Sequence, residues 1–261
     1  MKKLFYGRKD SIVNCCKEKV VLDLGCTQHR MMGKEVKEED WLHFRIKQVA
    51  QKVIGIDYLK DEAKRLNNIG YNIIYGNVET IDRIKLPINH FDVIVCGELI
   101  EHLSNPGLFL KNIKKIMNNN TLLIITTPNV YSRQRIKLML DKKYEKEWLN
   151  KEHKSWFSFE TLKQLLDSFD YQEVSWGYYR TSIKNKGMLW KIKQTIKRKI
   201  NYKHCNQIEL EDGLFFISKV KNENNGKIML THLSFFLLMI LLIKGKGVDI
   251  NSDGKIQPEE D

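Results

Sequence analysis

Glu98, Glu101 and His102 stand at i, i+3 and i+4, directly after the apolar run Phe91–Cys96. On a helical turn that spacing gathers two carboxylates and an imidazole on one side. A group of this kind can take a proton from a hydroxyl nucleophile or orient it. Two carboxylates and an imidazole also supply oxygen and nitrogen ligands for Mg²⁺, Mn²⁺ or Zn²⁺. A plainer role fits as well, since Glu101 suits the first turn of a helix.

A second group of residues is spread over three apolar runs. Val20-Val21-Leu22-Asp23-Leu24-Gly25-Cys26 reads as a buried strand running into a glycine turn, where a backbone without a Cβ lets a ligand come close. Val53-Ile54-Gly55-Ile56-Asp57 delivers an acid that can accept from both hydroxyls of a ribose. Gly97 follows the third run and allows a similar close approach. Each feature has a bland alternative, since glycines make tight turns and aspartates cap helices. Their order along the chain is harder to explain that way.

These residues need a scaffold, and the hydrophobic pattern supplies one. Strands are expected at 19–24, 53–57, 71–75, 91–96 and 121–127, and helices at about 39–50, 60–69, 105–118 and 132–143. Alternation of this kind predicts an α/β fold whose parallel sheet is covered on both faces. Ser158 then caps a further helix ending near Phe169, and 171–179 and 213–220 read as two late strands.

Taken together, Asp23-Leu24-Gly25-Cys26, Asp57, Gly76-Asn77-Val78-Glu79 and Gly97-Glu98-Leu99-Ile100-Glu101-His102 resemble a class I S-adenosylmethionine-dependent methyltransferase. The resemblance covers about residues 10–220. It implies a Rossmann-like methyltransferase sheet, mostly parallel with one antiparallel closing strand. It also implies a cofactor site made by Asp23, Gly25, Cys26, Asp57, Asn77, Val78 and Gly97. Asp23 would hold the ammonium of the cofactor, Asp57 its ribose, and the Asn77 amide oxygen its adenine amino group. The chain departs from the family pattern where Cys26 and Gln28 replace glycines and where 30–40 is an insertion. Glu-Leu-Ile-Glu-His-Leu-Ser-Asn-Pro followed by Thr127-Pro128-Asn129 resembles the ubiquinone-biosynthesis O-methyltransferases and relatives linked to cell-surface glycan methylation. The two glutamates and the histidine are also similar to small-RNA 2′-O-methyltransferases, where such residues and a later histidine hold a divalent metal. By that resemblance the later histidine would be His153, in Lys151-Glu152-His153-Lys154-Ser155-Trp156, though His153 equally suits a surface beside Trp156. The catalytic candidates are then Glu101, His102 and His153, and the metal candidates are these three with Glu98. No G-x-G-x-x-G follows the first strand, which argues against a nicotinamide dehydrogenase.

Composition bounds the remaining questions. At 261 residues and 42% apolar content the chain can bury a real core. Five cysteines without a C-x-x-C pair point to a reducing compartment, and the N-terminus has no signal-peptide-like apolar run, so the expected location is cytoplasmic. The net charge is +12, and 180–203 alone carries nine Lys/Arg and no Asp/Glu. Met188, Leu189, Ile192, Ile196 and Ile200 recur through it at near-helical spacing, as in a basic amphipathic helix inserted in the 1–220 domain. Its partner would be a membrane surface, an acidic glycan or, less favoured, a nucleic acid.

After a polar linker at 221–227, the 16 mostly apolar residues 228–243 would make a helix of about 24 Å, short of the ~30 Å hydrocarbon core. Such a helix suits dipping into the inner membrane face or burial against a partner. Residues 249–260 then match a calcium loop, with Asp249, Asn251, Asp253, Lys255 and Glu260 at ligand positions and Gly254 at the turn.

The expected function is thus methyl transfer, most simply to the oxygen of a small-molecule, lipid-linked or glycan acceptor. One alternative is an RNA 2′-O-methyltransferase with a metal site. The other, of a different class, is a membrane-tethered calcium-binding or scaffold protein with a degenerate cofactor fold.

Overall fold

Alternating strands and helices do build one sheet, in the order β1-β7-β8-β6-β5-β2-β3-β4. The computed structural model describes residues 3–27, 40–141, 151–180 and 207–221. The expectations for 181–203, for the apolar run 228–243 and for the calcium loop 249–260 lie outside the described residues. Among the described residues, no helix is long and apolar enough to cross a membrane.

The strands are β1 (Lys3–Tyr6), β2 (Val20–Leu24), β3 (Lys52–Asp57), β4 (Ile73–Tyr75), β5 (Val93–Gly97), β6 (Leu122–Pro128), β7 (Tyr171–Arg180) and β8 (Gly213–Val220). All run parallel except β8, which pairs antiparallel with both β6 and β7. The helices are α1 (Arg8–Cys15), α2 (Leu42–Lys47), α3 (Lys60–Asn68), α4 (Pro106–Ile113), α5 (Arg133–Leu140) and α6 (Phe159–Ser168). Short 3₁₀ turns occupy Val78–Arg83, Ile100–His102, Lys114–Ile116 and Gln207–Leu210.

The period-2 pattern explains why both faces of the sheet are covered. Leu22, Leu24, Ile94, Cys96, Leu123 and Ile125 bury one face, together with Phe109, Leu110 and Ile113 of α4 and Leu162 and Leu166 of α6. Their strand neighbours Val21, Val93, Val95 and Ile124 bury the other face, with Ile12 and Val13 of α1 and Ile46 of α2. Continuous apolar strands of this kind can exist only where helices shield both sides.

Local signals set several ends. Ser158 accepts from Thr161 N–H at 3.2 Å, and the Thr161 hydroxyl returns the bond, closing a capping box at the start of α6. Asn105 caps α4 from Leu108 N–H, with Pro106 at the first helical position.

One strand lies outside the expectations, and one expected helix is shorter. Strand β1, four residues long, has no clear sequence signal and is stabilised by pairing with β7 at the sheet edge. The expected helix at 105–118 ends at Ile113 and gives way to the 3₁₀ turn at 114–116.

Candidate active site

The residues singled out for chemistry lie where β2, β3, β5 and β6 end, along the carboxyl edge of the sheet. Gly25 leaves β2 at φ +63°, and a Cβ there would sit 2.9 Å from Leu99 Cδ1, so only glycine fits without displacement. Its N–H donates to the Ile56 carbonyl at 2.8 Å, folding the loop over the end of β3.

Asp57 lies at that end, 3% exposed. Its Oδ2 accepts from Thr27 N–H at 2.9 Å and its Oδ1 from Leu59 N–H at 3.0 Å. Each carboxylate oxygen keeps a lone pair for a further donor, so the residue can both hold the loop and receive hydroxyls. Asp23 is 2% exposed and bonded through Oδ2 to His43 Nδ1 at 2.9 Å.

Cys26 is buried among Trp41, Ala63, Leu66 and Ile73, so its side chain belongs to the core and its backbone to the loop. Burial and the nearby aspartates Asp23 and Asp57 push its thiol well above the usual range. Asn77 uses Oδ1 to accept from Glu79 N–H at 2.9 Å, capping the turn that carries the buried Val78. Gly97 is closed in by Arg8 and Leu42: a Cβ there would meet Arg8 Nη1 and Leu42 Cδ2, each at 3.3 Å. A positive-φ glycine at the end of β2 and a ribose-compatible acid at the end of β3 fit S-adenosylmethionine.

The Glu-His group is assembled differently from the expected helical turn. Glu98 adopts φ +58°, a conformation that L residues seldom take, and the chain then enters the short 3₁₀ turn at Ile100–His102. Glu98 therefore turns aside, and its Oε1 accepts from Tyr179 O–H at 2.7 Å. The i, i+3, i+4 expectation presumed α-helical geometry, which the left-handed residue interrupts.

Glu101, His102 and His153 do come together, with one potential ligand atom from each lying within 4.8 Å of the others. His153 is brought in by the backbone: Lys154 and Ser155 N–H both donate to the Glu101 carbonyl, at 2.7 and 3.1 Å. A bridge between Asn129 and Phe157 ties the same segment to the end of β6. The two imidazoles meet edge to face at 4.6 Å. His102 Nδ1 lies 3.2 Å from the Glu152 carbonyl, so the neutral ring donates there and carries its lone pair on Nε2. That atom is 4.0 Å from Glu101 Oε1.

The electrostatics of the group follow from burial. Glu101 is 2% exposed; Oε2 accepts from Thr127 O–H at 2.9 Å, while Oε1 is buried without a hydrogen bond. Burial first, and then the charge of Glu98, raise its pKa to about 8. Burial, with His102 and Arg135 nearby, lowers His153 to about 4, and its Nδ1 is also buried without a hydrogen bond. A carboxyl with its pKa raised beside an imidazole with its pKa lowered forms a group poised for proton exchange or for a cation.

Several neighbours escaped sequence reasoning. Arg8 reaches from α1 to Thr126 Oγ1 at 3.3 Å beside Gly97. The Arg135 guanidinium lies 4.3 Å over the Trp156 ring, and Trp156 in turn meets His153 at 5.1 Å. Thr127 stood in a recognised tripeptide and could have been paired with Glu101; Arg8, His43 and Tyr179 carried no signal, because each arrives from a distant element.

This sheet order, with a glycine turn and an acid at the ends of the first two central strands, defines the class I methyltransferase fold. A family model described as a methyltransferase domain matches residues 10–175, and the chain belongs to that family. S-adenosylmethionine is the methyl donor that the family implies.

A ubiquinone biosynthesis O-methyltransferase from Bradyrhizobium diazoefficiens is 26% identical over 170 residues, covering 62% of each chain. A probable S-adenosylmethionine-dependent methyltransferase from Mycolicibacterium smegmatis is 31% identical over 109 residues, 39% of this chain and 40% of that one. The chain thus spans less than two thirds of the length of these curated relatives. Among solved structures, a SAM-dependent methyltransferase from Archaeoglobus fulgidus is similar in fold. Its TM-score is 0.55 at 19% identity, over 82% of this chain and 91% of that one.

Proposed function

We propose that this chain transfers the methyl group of S-adenosylmethionine to a hydroxyl oxygen of a small-molecule acceptor. The carrying observation is the Glu101, His102 and His153 group, set at the carboxyl edge of the sheet beyond Gly97. The similarity to the O-methyltransferase from Bradyrhizobium diazoefficiens supports the choice of oxygen.

Bound there, the cofactor supplies an electrophilic methyl carbon on a sulfonium. Asp57 would accept from its ribose, Asn77 and Val78 would line its adenine, and the turn at Gly25 would leave room for its chain. His102 takes the proton of the acceptor hydroxyl at Nε2, while the Glu152 carbonyl keeps Nδ1–H in place. His153 and Trp156 wall the acceptor side. Positioning supplies much of the rate in such a displacement, and the rigid strand ends provide it.

A second reading adds a divalent cation. The buried Glu101 Oε1 and His153 Nδ1 make no hydrogen bond, and with His102 they form a three-ligand set that would hold Mg²⁺, Mn²⁺ or Zn²⁺ against two acceptor oxygens. That arrangement would suit a vicinal diol, including the end of an RNA. Glu98, turned toward Tyr179, stands outside this set. A location at a membrane face rests on the basic run 180–203 and the apolar run 228–243, and lipid-linked or glycan acceptors rest on the resemblance alone.

The test begins with calorimetric titration of S-adenosylhomocysteine into the chain and into Asp57→Ala. Labelled methyl transfer to phenols, lipid-linked sugars and RNA follows, after chelation and after adding Mn²⁺ back. Micromolar binding lost in Asp57→Ala, with label entering a hydroxyl, is the expected result. A folded chain that binds no S-adenosylhomocysteine ends the proposal.

A further inference from the structure

With S-adenosylmethionine bound as proposed, and with Asp23 in the role that the methyltransferase resemblance implies, one oxygen of Asp23 receives the ammonium of the cofactor's methionine part. A carboxylate used in that way has to be aimed. Asp23 Oδ2 is held 2.9 Å from His43 Nδ1, and the two side chains are 3% and 0% exposed. Strand alternation turns Asp23 toward the face that Val21 buries, and α2 on that face delivers His43.

The surroundings fix the imidazole. Trp41 and Tyr71 flank it, with ring centroids at 5.4 and 5.9 Å. Trp41 is itself anchored to the cofactor loop, its Nε1–H donating to the Cys26 carbonyl at 2.7 Å. Space for the ring comes from Gly55 on β3, where a Cβ would lie 2.5 Å from Cys26 Sγ and 3.0 Å from His43 Cε1. His43 Nε2 is buried and makes no hydrogen bond. Leaving a buried nitrogen unpartnered costs free energy, so packing alone would favour an apolar side chain here. Among the described residues, the one hydrogen bond the ring makes is to Asp23.

We infer that His43 is a positioning residue for the methionine end of the cofactor, an inference that rests on the proposed cofactor role of Asp23. A ring N–H at Nδ1 donates to Oδ2 and holds the carboxylate plane, which leaves Oδ1 to accept from the ammonium.

The test uses the full chain and two ligands. S-adenosylhomocysteine has the ammonium and carboxylate; 5′-methylthioadenosine keeps the adenosine and the sulfur but lacks both. His43→Leu weakens S-adenosylhomocysteine by about tenfold or more, as expected for loss of a bond to a charged group, and 5′-methylthioadenosine by less than about threefold. His43→Asn places an amide nitrogen near the position of Nδ1 and restores most of the loss.

Should His43→Leu fail to fold, ¹⁵N-histidine NMR of the unaltered chain reads the same contact. The His43 ring signals shift on saturation with S-adenosylhomocysteine and stay still with 5′-methylthioadenosine. Equal losses for both ligands, no loss for either, or His43 signals unmoved by S-adenosylhomocysteine overturn the inference. An unaltered chain that binds neither ligand removes the cofactor reading itself, and the inference with it.

Discussion

Replacing Glu101 with glutamine should make the protein more stable at pH 8 and leave it nearly unchanged at pH 5. The carboxyl is 2% exposed and its pKa is raised from 4.5 to about 8, chiefly by burial and then by Glu98. Below about pH 4.5 the folded and unfolded chains both hold the proton, and the group costs nothing. As pH rises, the unfolded chain releases the proton while the folded chain keeps it. Stability therefore falls from about pH 4.5 to about pH 8 and is level beyond.

At ~1.4 kcal/mol for each tenfold in proton affinity, the displacement from 4.5 to about 8 amounts to a loss on the order of 5 kcal/mol. That is a large share of the roughly 5–15 kcal/mol that holds a domain folded. Glutamine keeps an oxygen to accept from Thr127 O–H and does not titrate, so Glu101→Gln escapes the loss. Urea unfolding followed by tryptophan fluorescence, in the presence of a chelator at pH 5, 6.5 and 8, measures the difference directly. Several kcal/mol should open between the two proteins over that range, with the variant ahead. A gap that is constant with pH would refute the assignment of the raised pKa to Glu101. His153 acts in the opposite sense. Its pKa is lowered to about 4, so its contribution is lost as pH falls from about 6.5 towards 4, in both proteins alike.

Other perturbations probe the frame that carries the site. Gly177→Ala should detach β1, because the new Cβ would lie 2.1 Å from the Lys3 carbonyl oxygen; hydrogen exchange at residues 3–6 should rise sharply. Glu211 is 1% exposed and accepts from Arg180 Nε at 2.7 Å and Arg133 Nη1 at 2.8 Å. Glu211→Ala leaves two guanidinium groups uncompensated and should cost about 3–5 kcal/mol in a denaturant titration. Tyr171→Phe removes the bond from its hydroxyl to the Leu110 carbonyl at 2.8 Å and should cost about 1–3 kcal/mol, with cofactor binding unchanged by calorimetry.

What local chemistry can specify was readable along the chain. The central strands β2, β3, β5 and β6 announced themselves as apolar runs, since a strand buried on both faces needs them at nearly every position. Ser158 declared its helix start, because a cap acts over only three residues. Gly25 and Asp57 were legible for a related reason, each serving a turn at the end of its own strand. The resemblance to methyltransferases then placed these pieces in one order.

Tertiary structure decided what depends on distant segments meeting. Glu98 left the expected helical face because its backbone went left-handed and Tyr179, 81 residues away, took its carboxylate. His153 joined His102 only because the Glu101 carbonyl draws in the backbone around Lys154. His43 reached Asp23 through a space that Gly55 leaves open on a neighbouring strand. Strand and turn signals are carried within a few residues. Burial, and with it the proton affinity of Glu101, is set by everything packed around the group, which no local stretch of sequence contains.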